Sequence, residues 1–389
     1  MKTLFSLMIV VFFACSAKAG TIRCGADQPS KYLPLLKDKK VGLVVNQSST
    51  AGEQHLLDFL LHRGIQVEKI FCPEHGFRGD ADAGEMVNDE KDSKTGLPVI
   101  SLYGKNKKPG PDQLTGLDVL VFDIQDVGVR FYTYLSTLHY VMEAAAENQL
   151  PVVVLDRPNP NGDYVAGPVL DPEFKSFVGM EPIPVVHGCT LGEMAQMING
   201  ERWLKDSIQC QLTVIPVKNY THQTSYSLPV KPSPNLPNDI SIRLYPSLCF
   251  FEATQMSVGR GTWFPFQVVG YPDPKMGSFE FTPESIPGMA KKPKQEGKTC
   301  YGVDLREASK DYGFNLNLFL NYYHQFEKES DFLDRPEWFN LLAGTDKVLN
   351  LIREGASWDE LEASWQPALS QYKEMRKKYL LYTDEPESK

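Results

Sequence analysis

QVEKIFCPEHGFRG, residues 66–79, is the stretch from which the rest of the chain can be read. Val67, Ile70, Phe71 and Cys72 make an apolar run of strand character, and Pro73 ends it because its nitrogen has no hydrogen to give a sheet ladder. Glu74, His75 and Arg78 then fall just past the strand's carboxyl end, the edge at which open α/β sheets bind ligands. The plainer alternative is a solvated loop in which Gly76 and Gly79 serve the turn.

The same unit recurs on both sides of this stretch. Residues 41–45 read as a strand ending in Asn46-Gln47-Ser48-Ser49, and residues 53–62 follow with helical spacing. Strands are predicted at 99–102, ending at Tyr103; at 117–122, ending at Asp123; and at 152–155, ending at Asp156-Arg157. A helix is predicted over 134–148. Near-continuous apolar strands alternating with helices predict an α/β fold, a mostly parallel sheet covered on both faces. Asn46, Glu74, His75, Tyr103, Asp123, Gln125, Asp156 and Arg157 should then converge on one sheet edge, the raw material of a polar pocket.

Other segments read more simply. Residues 76–96 form a long acidic, glycine-rich loop; Asp80, Asp82 and Glu85 lack the spacing of a calcium loop and read as solvated charge. Thr190 and Glu193 have capping-box spacing ahead of a helix predicted over 191–204, and a strand is expected over 212–217. The four prolines of residues 225–238 mark a domain boundary, giving a first domain over 20–230 and a smaller one over 231–389. Residues 245–266, YPSLCFFEATQMSVGRGTWFPF, mix aromatic rings with Glu252, Arg260 and Trp263, a composition suited to a sugar site or a domain interface. Residues 331–382 read as packing helices with a solvated surface.

Composition narrows the class. The 389 residues are 42% hydrophobic and 23% charged, ordinary for a folded protein of about two domains, and the net charge of −9 argues against a nucleic-acid partner. Lys2, the apolar residues 4–13 and Ala17-Lys18-Ala19 have the form of a secretory signal over 1–19, so a periplasmic mature chain starting at Gly20 is expected; lipidation at Cys15 is the alternative. No later run is long enough to span a membrane. The six remaining cysteines show no metal spacing; Cys72, Cys210 and Cys249, set in apolar strand-like runs, are expected as buried thiols, and no disulfide framework is expected.

Taken together, CPEHGFRGDADAGE, TGLPVISLYG, DVLVFDIQDVGVRFYTY, LDRPNPNG, VHGCTLGE, YPSLCFFEATQMSVGRGT, AGTDKVLNLI and RKKYLLY resemble the exo-β-N-acetylmuramidase family of glycoside hydrolases, formerly a domain of unknown function. The resemblance covers nearly the whole chain after residue 19. It implies a Rossmann-like domain, a smaller α+β C-terminal domain and a cleft between them. It also implies release of terminal β-linked N-acetylmuramic acid from the non-reducing end of peptidoglycan fragments. The chain departs from the family pattern at Ala166, where many relatives carry an acid, and at Ala253, where glycine is common.

On this reading Glu74 is the proton donor. Asp123, Glu252 and Glu193 are candidates for the opposing role, as is the substrate's own acetamido group. Asn46, His75, Arg78, Tyr103, Arg130, Tyr132, Arg157, Asn235 and Arg260 form the expected substrate-binding set, the arginines being suited to the lactyl carboxylate of muramic acid. No metal or other cofactor is expected. Two further readings are a non-catalytic periplasmic muropeptide receptor and a metal-dependent hydrolase built on His75, Asp80, Asp82 and His187.

Overall fold

Along the central strands every second side chain enters one apolar layer and the intervening ones enter another. Val41, Leu43, Val45, Val119, Val121, Val153 and Leu155 share one buried cluster, whereas Val44, Leu120, Phe122, Val152 and Val154 belong to the other. A strand buried on both faces needs apolar residues at consecutive positions, which is why these segments read as unbroken hydrophobic runs. The computed structural model describes residues 20–74, 76–77, 90–309 and 311–385.

Among the described residues six strands run parallel: β1 (Lys40–Val45), β2 (Gln66–Cys72), β3 (Pro98–Ser101), β4 (Val119–Asp123), β5 (Val152–Leu155) and β6 (Leu212–Ile215). Their order across the sheet is β6-β5-β4-β1-β2-β3, and Glu90–Lys91 adds an antiparallel edge beside β3. This is the doubly wound arrangement, in which strand order reverses between β1 and β4. Gly42 allows the centre of the sheet to close, since a Cβ there would stand 2.6 Å from Leu120 and 2.7 Å from Leu117.

Register sets what meets at the carboxyl edge. Cys72 pairs with Ser101, so Glu74 and Tyr103, each two residues farther on, leave the sheet side by side. Val45 pairs with Asp123 at the reversal point. The loop after β4 leads to the helix Tyr134–Glu147, whose N-cap is Thr133.

The second half is α+β. It opens with the helix Asp239–Leu248, capped by Asn238, and the turn Cys249–Ala253. An antiparallel sheet of Val268–Tyr271, Cys300–Asp304 and Phe279–Phe281 follows, and helices complete the chain, the longest being Trp358–Arg376. One apolar cluster runs from Val44 in the sheet to Tyr372 in that last helix, so the two halves pack through a shared core. The final helix lies on the strand Ala166–Val169, which carries the departure at Ala166.

Candidate active site

A cavity of about 1070 Å³ opens between the carboxyl edge of the sheet and the second half of the chain. Glu74, Tyr103 and Thr133 enter it from the sheet side, and Glu252 and Arg260 from the other. Aromatic side chains contribute to its walls: Phe131, Tyr132, Tyr134, Phe177, Tyr245, Phe266 and Trp338. Phe177 stacks on Tyr140 with centroids 6.2 Å apart, and Lys107 places its ammonium 4.6 Å from the Phe177 ring centre.

Glu74 is held by its neighbours. The Thr133 hydroxyl donates to Oε2 at 3.0 Å, and the Tyr103 hydroxyl also bonds the carboxylate. Burial, then the charge of Glu74, raise the Tyr103 pKa, so its hydroxyl stays protonated and available as a donor. Thr133 can make this bond because its own hydroxyl does not cap the following helix.

Glu252 is an ion-paired carboxylate. Arg260 Nε stands 2.6 Å from its Oε1, and Lys294 and Arg335 both donate to its backbone carbonyl, fixing the turn on which it rides. Burial opposes the charge on Arg260, but the Glu252 carboxylate outweighs it and raises the guanidinium's pKa. Burial lowers the Lys294 pKa. Asn235 donates its amide to the Met289 carbonyl at 2.7 Å, anchoring the segment after Phe279–Phe281 over the cavity.

The sign of the charge here differs from that of the chain. Lys107, Arg260, Lys291, Lys292, Lys294 and Arg335 line the cavity against two carboxylates, Glu74 and Glu252, in a protein of net charge −9. Such a cleft attracts anionic ligands whatever the overall charge.

Of the residues expected at the site, Glu74, Tyr103, Tyr132, Asn235, Glu252 and Arg260 line this cavity. His75 and Arg78, with the loop acids Asp80, Asp82 and Glu85, lie outside the described residues. Four others do not line it. Asp123 and Arg157 are buried and satisfy one another, Nε to Oδ1 at 2.6 Å and Nη2 to Oδ2 at 2.9 Å, with Arg157 also donating to the Thr50 carbonyl. Arg130 is buried on the carbonyls of Pro168, Ile183 and Leu342, and burial lowers its pKa to about 9. Asn46 sits behind Tyr134 and accepts from the Ser48 amide and hydroxyl.

Glu193 and His187 have structural duties. Glu193 accepts from Thr190 N, His222 Nε2 and Leu381 N at 2.8 to 2.9 Å, and His187 is buried with its pKa lowered to about 3 by that burial. Cys24, Cys72, Cys189, Cys210, Cys249 and Cys300 are buried thiols. Among the described residues no three His, Cys, Asp or Glu side chains are grouped as metal ligands, and no helix is long and apolar enough to cross a membrane.

Lys107, Thr133, Phe177, Lys291, Lys292, Lys294, Arg335 and Trp338 were not legible as site residues. The one available signal was lysine clustering in an acidic chain, KNKK at 105–108 and KKPK at 291–294.

Comparisons with known proteins agree with this architecture. The family model described as the N-terminal part of the exo-beta-N-acetylmuramidase NamZ matches residues 41–240, and its C-terminal counterpart matches residues 243–382. The peptidoglycan beta-N-acetylmuramidase NamZ of Bacillus subtilis is 39% identical over 389 residues, covering 94% of this chain and 93% of that protein. A crystal structure of a DUF1343 family protein from Bacteroides fragilis superposes with a TM-score of 0.87 at 48% identity, covering 94% of this chain and 100% of that one. A second, also from Bacteroides fragilis, gives 0.81 at 28% identity over 93% and 99%.

Proposed function

The chain belongs to the exo-β-N-acetylmuramidase family, and from that premise we infer how its own residues carry the reaction. It is a glycoside hydrolase that releases terminal β-linked N-acetylmuramic acid from peptidoglycan fragments. Glu74 is the proton donor: as the bond from the anomeric carbon to the leaving oxygen breaks, its proton passes to that oxygen, water supplies the hydroxyl that ends on the anomeric carbon, and the proton that water releases balances the one Glu74 gave up. Thr133 and Tyr103 orient the carboxyl for this transfer. Glu252 is the second carboxylate, because it lines the cavity with Glu74 whereas Asp123 and Glu193 do not.

The observation that carries the reading is one cavity holding two carboxylates, an aromatic wall and an excess of cations. Aromatic faces pack against sugar rings, and the cations suit the carboxylate that distinguishes muramic acid from N-acetylglucosamine. Incubating the purified protein with a nitrophenyl β-N-acetylmuraminide beside the matching N-acetylglucosaminide tests both claims. Cleavage of the muraminide alone is expected, and cleavage of the glucosaminide at a similar rate would overturn the specificity.

We also propose export across the inner membrane on the strength of the signal pattern over residues 1–19. Sequencing the amino terminus of the mature protein should begin at Gly20; a terminus at Cys15 bearing lipid would replace this proposal with membrane anchoring.

A further inference from the structure

An enzyme that removes a terminal sugar holds that sugar inside its cavity, so the rest of the glycan must leave through the mouth. One part of that mouth is the loop from Val258 to Phe266, whose ends line the cavity together with Arg260. Between them Trp263 stands 78% exposed, far more than any other large hydrophobic side chain among the described residues.

Local hydrogen bonds and two glycines define the backbone turn that carries Trp263. Gly259 and Gly261 take φ of 77° and 82°, a region side chains rarely adopt, and the Thr262 hydroxyl bridges the Gly259 carbonyl and the Phe264 amide. Gly261 also allows Pro293, itself a cavity residue, to pack where a Cβ would come within 2.6 Å. Phe264 turns inward onto Phe279 and Phe281, leaving its neighbour Trp263 outside. Lys291 and Lys292, both exposed, precede Pro293 on the same rim.

A single exposed apolar side chain is ordinary on a protein surface. An exposed tryptophan on a loop whose Val258, Arg260 and Phe266 line the cavity, with Gly261 against the Pro293 that follows Lys291 and Lys292, has the parts of a carbohydrate subsite. Resting on the muramidase reading above, we propose that this rim binds the glycan beyond the cleaved bond. Trp263 packs on a pyranose face, and Lys291 and Lys292 meet carboxylates carried by the muramic acid units farther along the strand. The enzyme is thereby selective for glycan length.

The test compares kcat/KM on a peptidoglycan hexasaccharide with kcat/KM on the nitrophenyl muraminide, which has no sugar beyond the cleaved bond. Loss of an aromatic platform should lower the ratio of the two by about fivefold or more in W263A. W263F should keep most of the parental ratio. In an E74Q background, hexasaccharide should shift the Trp263 fluorescence, read as the difference between E74Q and E74Q/W263F titrations. An unchanged ratio in W263A, or a difference signal that does not respond to hexasaccharide, would overturn the subsite. Failure of the parent to cleave the nitrophenyl muraminide would instead overturn the muramidase reading itself.

Discussion

Glu74 and Glu252 reach the cavity by different routes, one at the end of a parallel strand and the other on a turn clasped by Lys294 and Arg335. If Glu74 supplies the proton, E74Q keeps its shape and hydrogen-bonding reach but removes the transferable hydrogen. General acid catalysis contributes roughly two to four orders of magnitude, so kcat on a natural disaccharide should fall by about that factor, and far less on a nitrophenyl glycoside whose leaving group needs little protonation. Parental kcat of E74Q on the disaccharide would exclude the role, and equal losses on both substrates would assign a nucleophilic or stabilising one. Asp126 offers a second residue-scale test. Burial raises its carboxyl from 3.8 to about 7, although one oxygen accepts from the Gly128 amide at 2.7 Å. Between those values the folded chain holds a proton that the unfolded chain has released. The contribution to stability is therefore complete below the unfolded value and is lost as pH rises through about 7. D126N should show a smaller fall in Tm than the parent as pH rises from 3.8 to about 7. Identical slopes would show that Asp126 does not titrate in this way.

Elements place these residues through register and through long-range ties. The pairing of Cys72 with Ser101 makes Glu74 and Tyr103 neighbours, and a slip of one residue would turn one of them to the opposite face. The end of the chain acts as a tie as well: Tyr382 accepts from Val217 N at 2.7 Å and donates to Asp156 Oδ2 at 2.6 Å, while Leu381 N and Tyr382 N both donate to Glu193. Residues beyond the last long helix are thus fastened to the cap of the helix Leu191–Gly200 in the first half. Y382F should leave Asp156 and Val217 each one partner short, at a cost of about 1 to 3 kcal/mol, and lower Tm by a few degrees. Because this knot lies outside the cavity lining, kcat/KM well below Tm should stay at the parental value. A Tm equal to the parent's would mean that the two bonds contribute nothing net.

At the scale of the molecule, the positive cavity within a chain of net charge −9 makes binding of an anionic sugar sensitive to salt. Raising ionic strength from about 0.01 M to about 0.15 M shortens the screening length from about 30 Å to about 8 Å. The value of kcat/KM on the muraminide should fall at least about twofold, mainly through KM, because exposed Lys291 and Lys292 stand where screening is strongest. A salt-independent KM would remove the cationic rim from substrate capture.

What the sequence determined by itself was local and periodic. Apolar runs marked the parallel strands, with residues 152–155 matching Val152–Leu155, and the helix expected over 134–148 formed as Tyr134–Glu147. Pro73 placed Glu74 just past β2, and Thr190 with Glu193 formed the capping box their spacing implied. These features depend on side chains a few residues apart, so the sequence displays them directly. Which charges neutralise one another depends on the tertiary structure. Asp123 and Arg157 were expected to face substrate, and folding closes a 34-residue separation to pair them with one another, while Arg130 meets the Leu342 carbonyl from 212 residues away. Lys107 and the lysines at 291, 292 and 294 come to one cavity only in the folded chain, whereas Lys108 pairs with Glu143 and Glu147. A charged side chain presents the same chemistry in the sequence whether it will face substrate, a buried partner or water, and only the packing around it makes that choice.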